Sequence, residues 1–128
     1  MRLLTHNYLQ SNVKGTEKGY PLKIQVSEIA IEESPVDREL VTRLLPKMNY
    51  SVLVQALAEV ATQYDGDDLP ELPAELPSEE LSDALVANLH KVLFDIHVVE
   101  GQLICPDTGR QFPIKEGIPN MILHEDEL

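Results

Sequence analysis

The sequence has 128 residues, 43% of them hydrophobic and 25% charged, which is the size and composition of one globular domain and excludes a largely disordered chain. Acidic residues number 22 and basic residues 10, so the net charge of −12 disfavours direct binding to a nucleic-acid backbone and favours a basic protein partner. The single cysteine excludes an internal disulfide, and no apolar run reaches the length of a membrane-spanning helix.

The beginning of the chain carries strand patterns. Residues 3–9 alternate imperfectly between apolar and polar side chains and predict a short strand, whereas residues 20–26 alternate clearly and predict a second one. The apolar residues change parity after Val26, which indicates a bulge near Ser27 and Glu28.

The middle of the chain predicts helices. Ser34 and Pro35 suit the N-cap and the first position of a helix that ends before Pro46. Apolar residues at helical spacing predict a second helix over residues 51–64, and Ser78 is expected to cap a third, leucine-rich helix.

An acidic, proline-rich connector, residues 65–77, is expected between the second and third helices. It is interpreted either as a solvated loop or as an acidic docking arm. From His97 onward short strands return, separated by a turn at Glu100 and Gly101, and the final strand is predicted over residues 118–123.

These elements predict an α+β fold with a single domain over residues 1–128. The β-rich parts, residues 1–33 and 97–128, are expected to pair in one small antiparallel sheet. Residues 34–96 are then a helical insertion between the two halves of that sheet.

No catalytic centre is predicted. Cys105 lies in a turn, the sequence has no nucleophile elbow of the Gly-x-Ser-x-Gly type, and the six glycines do not form a loop for a nucleotide-like cofactor. His90 and His97 are the two histidines nearest in sequence, and the helix end expected between them argues against a shared metal. The predicted sets of catalytic, cofactor-binding and metal-binding residues are therefore empty.

Several blocks of the sequence resemble one protein family, the eukaryotic multifunctional methyltransferase activator subunits. The resemblance runs essentially from end to end, and its last stretch is the most specific part. The blocks are MRLLTHNYL at residues 1–9, PL at 21–22, EGQLICPDTGR at 100–110, FPI at 112–114 and GIPNMIL at 117–123.

The resemblance implies a zinc-ribbon-like domain assembled from both chain ends, with a helical insertion. It also implies a non-catalytic role as the heterodimeric partner of class I methyltransferases that act on tRNA, rRNA and a translation release factor. The partner would bind S-adenosylmethionine and contact the RNA. Because the chain begins without a signal-peptide pattern, we expect it in the cytoplasm and nucleus, and not at a membrane.

Zinc is where the sequence departs from this family. Some members hold zinc through cysteines, and the resemblance places the corresponding positions at Ser11, Thr16, Cys105 and Thr108. A structural zinc site needs four good ligands, and only Cys105 is one. We therefore expect the zinc site to be lost.

The two apolar end strands are predicted to carry the partner-binding surface. Uncovered strand edges and apolar faces promote aggregation, and strand addition to a methyltransferase sheet would cover them. In the alternative interpretation, the same residues form the core of this chain. The predicted partner-binding residues are Leu3, Leu4, Thr5, His6, Asn7, Ile118, Pro119, Asn120, Met121 and Ile122.

Two other functional classes are the alternatives, a ribbon-type nucleic-acid-binding module and an enzyme. A nucleic-acid-binding module is expected to combine a basic patch with aromatic residues, but aromatic residues make up only 5% of the chain and tryptophan is absent. An enzyme would need catalytic residues, and the sequence predicts none. The activator subunit is therefore the favoured prediction.

Overall fold

The computed structural model describes residues 1–64 and 69–127. It has an α+β fold, as the sequence predicts. The elements, in chain order, are α1 (Leu3–Tyr8), β1 (Lys23–Ile31), α2 (Arg38–Leu44), α3 (Tyr50–Gln63), α4 (Asp83–His90), β2 (Ile96–Ile104), β3 (Gln111–Lys115) and β4 (Ile118–Pro119). Short 3-10 turns cover Leu45–Lys47 and Glu125–Glu127, and a π-helical turn, Lys91–Asp95, joins α4 to β2.

The four strands form one antiparallel sheet in the order β1-β2-β3-β4. β1 pairs with β2 along its whole length, and the register shifts around Glu28 confirm the predicted bulge. The predicted turn at Glu100 and Gly101 is wrong, because β2 continues through both residues. A Cβ at Gly101 would lie 2.2 Å from the carbonyl oxygen of Gln25, so only glycine allows the two strands to approach here.

A two-residue turn connects β3 to β4. Glu116 has a φ of 52° and Gly117 a φ of 78°, and positive values at both positions are typical of the tight hairpin turn that suits twisted strands. The turn brings Ile118 opposite Lys115 and Pro119 opposite Ile114. β4 therefore lies at one edge of the sheet.

The helices begin later than the sequence predicts, with one exception. Asp37, not Ser34, caps α2 by accepting a hydrogen bond from the amide of Leu40. Ser82, not Ser78, caps α4 in the same way through the amide of Leu85. The helix predicted over residues 51–64 is confirmed as α3, whose buried stripe consists of Val52, Leu53, Ala56, Leu57 and Val60.

The two predicted end strands need correction. Residues 3–9 were expected to form a strand, but Leu3–Tyr8 is helix α1. Its buried residues Leu3, His6 and Asn7 have the i, i+3, i+4 spacing of one helical face, which explains why the two-residue alternation was imperfect. Only the preceding backbone joins the sheet. The Met1 α-ammonium group donates to the Val98 carbonyl at 2.7 Å, and the Val98 amide donates to the Met1 carbonyl at 2.8 Å.

The final strand is much shorter than the predicted residues 118–123, because only Ile118–Pro119 pairs with β3. Pro119 has no amide hydrogen to donate. The amide of Ile122 donates to the Asn120 side chain at 3.1 Å, so a local turn replaces strand pairing there.

One hydrophobic core joins the sheet and the helices. The core side chains without exposed surface include Leu3, Leu53, Leu89, Leu93, Ile96 and Phe112.

Residues 65–68 of the predicted connector lie outside the described residues, and residues 69–77 contain no regular helix or strand.

In the part of the chain that the structure describes, none of the helices combines the length and the apolar character needed to cross a membrane.

Candidate partner-binding surface

Helix α3 covers the outer edge of β1. The Glu59 side chain accepts a hydrogen bond from the Ile24 amide at 3.1 Å, and the Gln63 side chain accepts one from the Val26 amide at 2.7 Å. Gln63 also donates to the carbonyl of Ile24 at 2.9 Å. Because these side chains occupy the outward backbone groups of Ile24 and Val26, this part of the β1 edge is closed to strand addition.

The opposite edge, at β4, is exposed. Ile118 and Ile122 keep 68% and 77% of their surface accessible, which makes them the two most exposed of the large hydrophobic residues that the structure describes. A groove of about 480 Å³ runs beside them, lined by Pro113 and Lys115 of β3 and by residues 118–122. Exposed apolar side chains around a groove at an open sheet edge are typical of a protein-binding surface.

A second concavity, of about 430 Å³, connects the two predicted segments. Thr5 of α1 lines it together with Ile118 and Pro119. Leu4 is half-buried beside the core, and Thr5 is exposed. The structure therefore brings the N-terminal and C-terminal parts of the predicted surface together at one end of the sheet.

Three of the predicted residues face the interior. Leu3, His6 and Asn7 are no more than 3% exposed. The Asn7 side chain donates to the carbonyl of Asn49 at 2.8 Å and accepts from its amide at 2.9 Å, which ties α1 to the N-cap of α3. The side chains of these three residues belong to the core and its hydrogen bonds.

The tautomer of His6 follows from its contacts. Its Nε2 lies 2.7 Å from the carbonyl oxygen of Leu22, and since a carbonyl can only accept, Nε2 carries the hydrogen. Burial lowers the pKa of His6, and the bond to Leu22 opposes this only in part. The ring is therefore neutral near pH 7.

The four positions that the resemblance assigns to zinc lie together. Cys105 is 1% exposed, and its Sγ lies 3.6 Å from the Thr16 hydroxyl. Burial raises the pKa of the Cys105 thiol, but hydrogen bonds from Ser11, Thr108 and Thr16 outweigh this and lower the pKa to about 6. We call these four residues the hydroxyl–thiol cluster.

The hydroxyl–thiol cluster does not fit zinc. Three of its members are hydroxyls, which are poor zinc ligands, and one thiol cannot complete a tetrahedral site. Within residues 1–64 and 69–127, no group of three or more His, Cys, Asp or Glu side chains is placed to hold a metal. The loop between α1 and β1 is instead joined to the loop between β2 and β3 by Asp107. Its carboxylate accepts hydrogen bonds from the amides of Lys18 and Gly19 at 3.0 and 2.8 Å.

Some residues at the groove beside β4 were not among the partner-binding residues predicted from the sequence. Pro113 and Lys115 line the groove, and Glu116 and Gly117 shape the turn beside it. Pro113 and Gly117 lie within the blocks that carry the family resemblance, which was the available signal. Their place at the groove depends on the β3–β4 pairing, which sequence alone did not fix.

Residues 2–117 match the family model described as Trm112p-like protein. Among curated proteins, the chain is 42% identical to the multifunctional methyltransferase subunit TRM112-like protein of Mus musculus, across 99% of this chain and 98% of the relative. It is 36% identical to the multifunctional methyltransferase subunit TRM112 homolog A of Arabidopsis thaliana, across the full length of both.

The fold is similar to that of a chain in the E. cuniculi Mtq2-Trm112 complex, which is described as responsible for methylation of the eRF1 translation termination factor. The TM-score is 0.51, the identity 19% and the coverage 95% of each chain, so this likeness concerns the fold alone. The sequence matches carry the assignment, and they confirm the family that the five sequence blocks predict. The chain belongs to the Trm112p-like family.

Proposed function

We propose that this chain is a non-catalytic activator and stabilising subunit of S-adenosylmethionine-dependent methyltransferases. Its relatives along the whole length are named methyltransferase subunits, and a similar fold occurs in a complex with a methyltransferase. The partners would be class I methyltransferases that modify tRNA, rRNA and a translation release factor. The partner holds the cofactor and performs the transfer.

The observation that carries this proposal is the asymmetry of the sheet. Helix α3 occupies the β1 edge, whereas the β4 edge presents Ile118 and Ile122 to solvent. A strand or loop of the methyltransferase that packs against β4 would remove apolar surface of both proteins from water. Stabilisation of the partner follows from mass action, because a bound subunit favours the partner's folded state.

Direct contacts are assigned to the exposed members of the predicted set. Leu3, His6 and Asn7 are buried in the core, and Leu4 is half-buried and packs against that core. The side chains proposed to contact the partner are Thr5, Ile118, Pro119, Asn120, Met121 and Ile122.

The remaining expectations belong to the same proposal. The chain itself binds neither S-adenosylmethionine nor zinc, and it acts in the cytoplasm and nucleus. With a net charge of −12, it reaches RNA mainly through its partner, since its own field repels phosphate.

Co-expression with a release-factor methyltransferase of the Mtq2 type tests the proposal. Calorimetry should detect S-adenosylmethionine binding by the complex and none by the isolated chain, and the complex should methylate the release factor. The soluble yield of the methyltransferase should rise when the two chains are made together. Micromolar cofactor binding by the isolated chain, or failure of the two proteins to associate, would contradict it.

A further inference from the structure

The segment of residues 120–124 is tied to the rest of the protein at both ends. At its start, the Asn120 amide donates to the carbonyl of Pro113 at 2.9 Å, which fixes it to β3. At its end, the Glu127 side chain accepts from the His124 amide at 3.1 Å, and the Glu127 amide donates to the His124 carbonyl at 2.9 Å. Ile122, at the centre of the segment, is exposed.

Glu127 is itself anchored by an ion pair. The Arg110 guanidinium approaches both of its carboxylate oxygens, through Nε at 2.5 Å and through Nη2 at 3.2 Å. The two side chains are only 27% and 16% exposed, so solvent screens the pair less than an ordinary surface pair. Arg110 also lies 4.9 Å from the ring centroid of the buried Phe112, which limits where the guanidinium can move.

A third contact joins this anchor to another loop, because the Lys14 amide donates to the Glu127 carbonyl at 2.7 Å. The hydrogen bond from Arg110, reinforced by that from the His124 amide, lowers the pKa of Glu127 to about 2. The carboxylate is therefore charged at every physiological pH, and the contact is a permanent anchor rather than a pH switch.

We propose that the Arg110–Glu127 ion pair is a positioning contact that holds residues 120–124, and Ile122 in particular, in the conformation that the methyltransferase partner binds. This inference rests on the proposed function. A tethered segment loses less conformational freedom on binding than a free one, so the anchor raises affinity without touching the partner.

The test compares Glu127→Gln and Arg110→Lys with the control Glu125→Gln in the full chain. Glutamine removes the charge of Glu127, and lysine keeps a positive charge but loses the planar two-pronged donor. Glu125 is exposed and belongs to the same 3-10 turn, so its replacement makes the same charge change beside the anchor. The probe is the purified Mtq2-type methyltransferase.

Hydrogen exchange of the free variants should accelerate in residues 121–124 and stay unchanged in β2 and β3. The Kd for the methyltransferase should rise about tenfold in Glu127→Gln, mainly through slower association, because fewer molecules have the binding conformation. Arg110→Lys should show a smaller loss, and Glu125→Gln none. If the ion pair only stabilised the fold, the Glu127→Gln and Arg110→Lys variants would instead have a lower unfolding midpoint and an unchanged association rate.

Variants that fold and associate at the wild-type rate would overturn the positioning role while leaving the proposed function intact. If Glu127→Gln does not fold, Arg110→Lys decides the matter alone by the same two measurements. A wild-type chain that does not bind the methyltransferase would overturn both the proposed function and this inference.

Discussion

The two edges of the sheet differ in how their backbone groups are covered. At β1, two side chains of α3, Glu59 and Gln63, form hydrogen bonds with the outward amides of Ile24 and Val26. At β4, the structure offers a two-residue strand, a proline, and exposed isoleucines. The first part of the β1 edge is covered within the chain, whereas the β4 edge is open and is where we propose that the partner binds. On this proposal, the partner packs on one side of a small sheet.

The largest expected effect comes from a charge at the open edge. Ile122→Asp should weaken methyltransferase binding at least about a hundredfold, roughly 3 kcal/mol, because the complex would bury an unpaired carboxylate. The free chain should fold normally, since Ile122 is 77% exposed. Affinity measurements and circular dichroism check both statements.

Val36→Asp is the matched control, because Val36 is also an exposed aliphatic residue, at 53%, and lies before α2. It should bind the methyltransferase like the wild type. If Ile122→Asp also binds normally, the interface does not include the β4 edge.

A smaller effect is expected at the covered edge. Gln63→Ala removes the acceptor for the Val26 amide and the donor to the Ile24 carbonyl, and should lower the free energy of unfolding by about 1 kcal/mol. Urea denaturation measures this loss, and methyltransferase affinity should not change. Gln55→Ala, at an exposed position on the same helix, should leave both quantities near wild type. A large loss of affinity in Gln63→Ala would mean that both edges serve the partner.

The Cys105 thiol gives a pH-dependent effect on stability, away from both edges of the sheet. Its pKa is lowered to about 6 in the folded chain, so between about pH 6 and pH 9 the unfolded chain binds more protons than the folded one. Stability should therefore rise with pH across this window, and this contribution should be lost as the pH falls through 6. Cys105→Ser should not show this rise, as denaturation at several pH values would reveal. A thiol whose ultraviolet titration has its midpoint near pH 9 would contradict the prediction.

No effect at all is expected from chelation. Because the hydroxyl–thiol cluster has one thiol and three hydroxyls, the purified protein should contain no stoichiometric zinc and should keep its circular dichroism in the presence of a chelator. Elemental analysis that finds one tightly bound zinc per chain would show that this expectation is wrong. Methyltransferase binding should likewise be insensitive to chelation, because the proposed interface at the β4 edge does not depend on a metal in the hydroxyl–thiol cluster.

Composition, periodicity and motif blocks were sufficient to predict the α+β class, helix α3, the bulge near Glu28 and the family. These properties depend on short stretches of sequence, such as the helical spacing from Val52 to Val60 or the parity change after Val26. Local sequence did not determine where α2 and α4 begin, because Ser34 and Ser78 offer the same capping chemistry as Asp37 and Ser82. Local sequence therefore determined which elements form, but not always where they begin.

Tertiary structure decided what the chain ends do. Residues 3–9 have a pattern that suits a strand or a helix, and burial of Leu3, His6 and Asn7 beside α3 and the π-helical turn selects the helix. Contacts between distant segments likewise cover β1 with Gln63 and hold residues 120–124 through Arg110 and Glu127. Sequence specifies side chains and local preferences. It does not by itself show which backbone groups will form hydrogen bonds with residues far along the chain, and these bonds decide which edge of the sheet is covered and which is exposed.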